Sequence, residues 1–154
     1  MSRRARQLRL VFLVAIALSA FHVSEASAQC SISATAVSFG TYNVFATGNI
    51  DSIATVTVRC NNPRTVQVQL GRGQFAPSFS PRQMNLSGER LNYNLYFDST
   101  RTQIWGDGTS GTVIWSAGVT AAADVSRTVY GRLFALQNVT VGAYADTVIV
   151  TAIF

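Results

Sequence analysis

The sequence has no lysine and a single histidine, His22. Without lysine there is no Schiff-base amine, no phosphate-cradling P-loop lysine and no Ser–Lys nucleophile pair. His22 stands in an N-terminal leader, so the segment that follows has no histidine. That excludes histidine general bases, Ser–His and Cys–His pairs and nearly all zinc sites there. Acids are scarce as well. Past the leader they are Asp51, Glu89, Asp98, Asp107, Asp124 and Asp146. Most stand beside turn glycines or serines, where carboxylates cap and turn the backbone. Nothing in their spacing suggests the facing pair of a glycoside hydrolase. There is no G-x-S-x-G, and "GDGTSG" lacks the aspartate ladder of a calcium loop. The sequence reads as a non-enzyme with no catalytic residue, cofactor or metal ligand.

What is present begins with an address. "MSRRARQLR" is a basic leader, "LVFLVAIALSAF" an apolar run too short to span a bilayer comfortably, and "ASA" a small-residue cleavage site. Residues 1–28 read as a secretory signal peptide and residues 29–154 as one exported domain; the alternative is an N-terminal membrane anchor. The leader carries much of the charge. The chain has 12 basic and 7 acidic residues, and removing Arg3, Arg4, Arg6, Arg9 and Glu25 leaves 8 and 6, net +2. Those eight arginines are scattered, which gives no footprint for nucleic acid. No stable membrane insertion is expected after cleavage. Cys30 and Cys60, an even pair in an exported chain, read as a disulfide, with a free thiol or metal ligand as the alternative.

The period is two almost throughout. "IATVTVRC" puts Ala54, Val56, Val58 and Cys60 on one face. "TVQVQL" does so with Val66, Val68 and Leu70, and "LNYNLYF" with Leu91, Tyr93, Leu95 and Phe97. "NNP", "GRG", "SGE" and "GDG" punctuate these runs, and Gln74–Arg82, with two prolines, reads as a surface loop. No stretch holds apolar residues at helical spacing over three turns. About seven short strands between turns predict an all-β antiparallel sandwich. A bridge from Cys30 would tie the first strand to the end of the second.

The stretch "LNYNLYFDSTRTQIWGDGTSGT" leaves two readings open. It is two turns with a short strand between them, Asp98 accepting turn amides and Asp107-Gly108 making a tight turn. Alternatively Trp105 and Asp107 form an exposed loop that contacts sugar or a surface.

Taken in order, these pieces resemble a known family: a cysteine ahead of "SATAVSFGTYN", then "ATVTVRC", the 91–112 stretch, "YGRLFALQ" and a terminal "GAYADTVIVTAIF". They are similar to the spore coat protein U domain, the pilin-like module of Csu-type archaic chaperone–usher fimbriae. The resemblance implies an immunoglobulin-like sandwich lacking its last strand. It implies a structural subunit working by donor-strand complementation. The implied partners are a periplasmic pilus chaperone, an outer-membrane usher and neighbouring fimbrial subunits, with passage through the periplasm to the cell surface. The strand-exchange edge would be the last segment, with Val148, Val150, Ala152 and Phe154 on one face and Ile149 and Ile153 on the other. Cleavage after Ala28 leaves only Gln29 ahead of Cys30, too little to donate, so a terminal or accessory subunit of a fimbria or of a spore-coat-U-like surface assembly, or a self-standing secreted coat-type protein, is expected rather than the main shaft. The alternative function is a single-domain adhesin or lectin-like module using loops near Trp105.

Overall fold

The computed structural model describes residues 29–154; the signal peptide read at residues 1–28 lies outside them. Eight strands are present among the described residues: β1 (Cys30–Ala34), β2 (Ile50–Cys60), β3 (Arg64–Leu70), β4 (Arg82–Leu86), β5 (Glu89–Tyr96), β6 (Trp115–Val119), β7 (Asp124–Leu133) and β8 (Val150–Ile153). They form two antiparallel sheets, one of five strands in the order β1-β2-β7-β5-β4 and one of three in the order β6-β3-β8. The sandwich expected from the alternation is therefore the fold.

Local chemistry accounts for the strands. β2 and β3 are dense in valine and threonine, whose branched Cβ atoms suit a pleated, half-buried surface. The tight β4–β5 connection places Ser87 at φ 48 and Gly88 at φ 99. Left-handed backbone at both central positions matches the twist of a two-residue hairpin. The Asn85 side chain accepts the Gly88 amide at 3.1 Å.

The two inner faces make one core. From the five-stranded sheet come Val56, Val58, Leu91, Tyr93, Leu95, Val129 and Leu133; from the three-stranded sheet come Val66, Val68, Leu70, Trp115, Ala117 and Val119. Alternation fails at one end of β5. Asn94 and Tyr96 belong to the face expected outside, yet Asn94 is buried outright and Tyr96 nearly so. For Asn94 the reason is Arg82. It opens β4 rather than closing a surface loop, and it is fully buried. Its Nη1 donates to Asn94 Oδ1 at 2.7 Å, its Nε to the Gly71 carbonyl at 3.0 Å, and its Nη2 to the Trp105 carbonyl at 2.6 Å. One side chain thus joins the end of β3 to β5 and to the chain that follows it. Burial is the main influence on its pKa, pushing it down to about 10, which leaves it charged at neutral pH.

Candidate functional site

Cys30 and Cys60 are register partners on β1 and β2, with Cα atoms 4.0 Å apart and their sulfurs bonded. The bridge fixes the start of the domain to the end of a central strand. Beyond it, Thr35 still bonds β2, its amide donating to the Thr55 carbonyl at 2.9 Å. The chain then leaves the ladder. Val37 and Phe39 cross the inner face against Gly131, where a Cβ would lie 2.7 and 2.9 Å from their side-chain atoms. Phe39 meets the Tyr93 ring edge-on at 6.0 Å. Residues 36–42 make no backbone–backbone hydrogen bond among the described residues.

On the other side lies β8. It pairs with β3 over Gln67↔Ile153 to Leu70↔Val150, and its second edge has no strand partner among the described residues. Val148, Val150 and Ala152 pack on the core, while Ile149 and Ile153 point outward, 70% and 48% exposed. Between the two segments is a cavity of about 320 Å³. Ala36, Val37 and Phe39 line one wall, Val148 and Val150 the other, with Val56, Leu95 and Val129 at its floor. Two stretches of unpaired backbone therefore border one apolar cavity. Unpaired backbone beside an apolar groove is a template for an added strand.

The cavity closes at a polar end. The Asp146 carboxylate accepts the Tyr93 hydroxyl at 2.7 Å and the Gln74 and Thr147 amides at 2.8 Å each. Burial, and next the bond to Asp146, raise the Tyr93 pKa well above the ordinary phenol. Gly73, at φ 91, is packed so closely on this carboxylate that a Cβ there would overlap it.

Several expected positions need correction. Trp105 does not belong to a surface loop: it is fully buried. Its indole packs edge-on against Phe97 at 5.4 Å and Trp115 at 6.0 Å, and Nε1 donates to the Val68 carbonyl at 3.1 Å. The polar residues on either side of it belong to turns, while the Trp105 backbone pairs with Leu95 and Val113. Asp107 stands apart from the indole's partners, turning its own loop by accepting the Thr109 amide at 2.9 Å and hydroxyl at 2.6 Å. The arrangement is two turns around a short bridging segment. Asp98 likewise accepts the Thr102 and Gln103 amides, and hydrogen bonds led by that from the Thr100 hydroxyl hold its carboxyl far below the usual carboxylate range. Phe154 does not face inward with Val150 and Ala152. It is 61% exposed, with the Arg64 guanidinium 5.3 Å from its ring centre. The final strand, Val150–Ile153, is shorter than the alternation from Val148 to Phe154 suggested.

Sequence reasoning missed the opposite wall, Ala36, Val37 and Phe39. The signal was the alternation in "AVSF", which never received a partner strand.

Among the described residues no group of three or more His, Cys, Asp or Glu side chains is placed to hold a metal. No helix there is long and apolar enough to cross a membrane.

Comparison with known proteins gives one consistent picture. The family model described as Spore Coat Protein U domain matches residues 17–151. A protein named Protein U, from Myxococcus xanthus, is 33% identical over 141 residues, covering 81% of this chain and 77% of its own length. Among solved structures, one described as the CsuC–CsuE chaperone–tip adhesion subunit pre-assembly complex, from archaic chaperone–usher Csu pili of Acinetobacter baumannii, shares the fold. It superposes with a TM-score of 0.60 at 24% identity over 81% of this chain. This chain spans 39% of the length of that one.

Proposed function

This chain belongs to the Spore Coat Protein U domain family, and on that premise we propose that it is an exported structural subunit of a fimbria-like surface assembly, completed by a strand from another polypeptide. A single observation carries this: residues 36–42 and the outer edge of β8 have no backbone partner among the described residues, on the two sides of an apolar cavity. An extended segment with alternate apolar side chains would bond both margins and fill the space between the sheets. In this reading a periplasmic pilus chaperone supplies the strand first. A neighbouring subunit replaces it at an outer-membrane usher, and the protein passes from the periplasm to the cell surface.

Cleavage after Ala28 would leave Gln29 alone ahead of the first strand. The subunit then accepts a strand and has none to give, which suits a terminal or accessory position. Amino-terminal sequencing of the exported protein tests this; a start well upstream, inserted into a neighbour, would overturn it. A sugar-contacting loop at Trp105 has no support, since the indole is buried.

Co-expression with a chaperone encoded beside it tests the main proposal. The expected result is a one-to-one complex in which the amides of residues 36–42, and those of 150–154 that do not bond β3, are protected from exchange, and aggregation without the chaperone. A soluble monomer melting cooperatively by itself, with those amides already protected, would overturn it.

A further inference from the structure

The outer face of the five-stranded sheet carries a charge arrangement that folding alone does not call for. Asp51 on β2 and Arg132 on β7 are register partners. Arg132 donates Nε to Asp51 Oδ1 at 2.8 Å and Nη2 to Oδ2 at 2.9 Å, a two-point ion pair. A second arginine joins it. Arg101 Nη1 lies 3.2 Å from Asp51 Oδ2, and its guanidinium stands 5.8 Å from the Tyr130 ring centre. One carboxylate thus holds two guanidinium groups and leaves one positive charge over.

Both arginines are aimed rather than trailing. Arg101 sits in left-handed backbone at φ 59, a conformation that costs a residue with a Cβ and persists where the surroundings impose it. The turn built on Asp98 imposes it: the Arg101 amide donates to the Asp98 carbonyl at 3.1 Å. Arg101 Nε reaches the Gly131 carbonyl at 3.3 Å, and its Nη1 the Ser99 carbonyl at 2.9 Å. Among the described residues Arg101 Nη2 and Arg132 Nη1 are then left without an acceptor, and neither is sealed from water. Beside them Ile53, the register partner of Tyr130, is 64% exposed.

We infer that Arg101 and Arg132, braced by Asp51, form a binding site for the oxyanion of an acidic sugar, a carboxylate or sulfate on a polysaccharide, with Ile53 against the C–H face of its ring. The unspent charge supplies the attraction, and each arginine keeps an N–H nitrogen to donate to an oxygen of such a group. Because the site lies on the outer face of the sheet, it stays open whether or not a strand fills the cavity between the sheets. The inference therefore stands apart from strand exchange.

The test uses the full exported protein, with any chaperone that copurifies, on immobilised polygalacturonate, heparin and dextran. Retention on at least one charged polymer, weakening with salt, and none on dextran is expected. Joint replacement Arg101→Gln and Arg132→Gln should weaken binding about tenfold or more. Ile53→Glu, at an exposed position, should do the same by repelling the anion, and it decides the matter if the double variant fails to fold. Arg59→Gln, paired with Asp124 on the same sheet, should bind as the parent does. Retention on polygalacturonate alone identifies the carboxylate, and on heparin alone the sulfate. Equal binding to dextran, no binding to either charged polymer, unchanged binding by the variants, or equal loss in Arg59→Gln would each overturn the inference.

Discussion

β2 and β8 are written in the same alphabet, alternating small and branched apolar residues with polar or outward ones. β2 is flanked on both sides, by β1 over five register pairs and by β7 over ten. β8 has four register pairs with β3 and an open second edge among the described residues. At the end of β2, Val56, Val58 and Cys60 are all but sealed from water, whereas the inward residues of β8 are only half-buried. A strand's alternation states which face is apolar. It does not state how many neighbours the strand will have, since pairing uses backbone groups that every residue carries.

The largest effect should come from Arg82, the joint between the closed region and the margin. Arg82→Met strands the Gly71 and Trp105 carbonyls without their donor and takes one of two donors from Asn94 Oδ1, which keeps the Leu95 amide. A loss of about 3–5 kcal/mol is expected, read by urea unfolding of the chaperone-bound or assembled protein. If stability hardly moves, the two regions are not joined there. Replacing Cys30 and Cys60 together by alanine releases the first strand from β2. The 30-residue separation corresponds to about 3–4 kcal/mol in the chain-entropy model. The midpoint should shift accordingly, and unchanged stability would show that the margin does not depend on the bridge.

Gly131→Ala is a smaller and more local test. Its Cβ would run into Val37 and Phe39, so the closed sheet would push one cavity wall outward. The expected cost is about 1–3 kcal/mol, with strand acceptance weakened more than unfolding shows; equal effects on both would separate that wall from the site. Acidification should have the mildest effect. Hydrogen bonding and ion pairing to Arg132 hold the Asp51 carboxyl below its ordinary range. A depressed acid stabilises the fold above its unfolded pKa, and that contribution is lost as pH falls through the folded value. The melting temperature should therefore drop below about pH 4, and less steeply in Asp51→Asn. A drop as steep in that variant would place the acid-sensitive group elsewhere.

Much of the architecture could be read before any coordinates. Ala54, Val56, Val58, Val66, Val68, Leu91, Tyr93 and Leu95 point inward as their alternation requires, because a period of two leaves a strand only two faces. The cysteine pair was legible from export and number. Trp105 was not, because its burial depends on Phe97, Trp115 and the Val68 carbonyl, which stand far apart in the chain. Arg82 misled for a related reason: a lone arginine beside prolines looks solvated until acceptors from Gly71, Asn94 and Trp105 are brought around it.

The sequence alone therefore determined the class: a strand-rich chain with an oxidisable pair, whose residue types exclude histidine- and lysine-based chemistry past residue 28. Only the tertiary structure decided which backbones would go without partners, which arginine would be enclosed and which two would share Asp51. Side-chain periodicity is a local property that the order of residues fixes. Neighbour count and charge pairing arise from distant segments meeting in space, and no stretch of sequence carries that by itself.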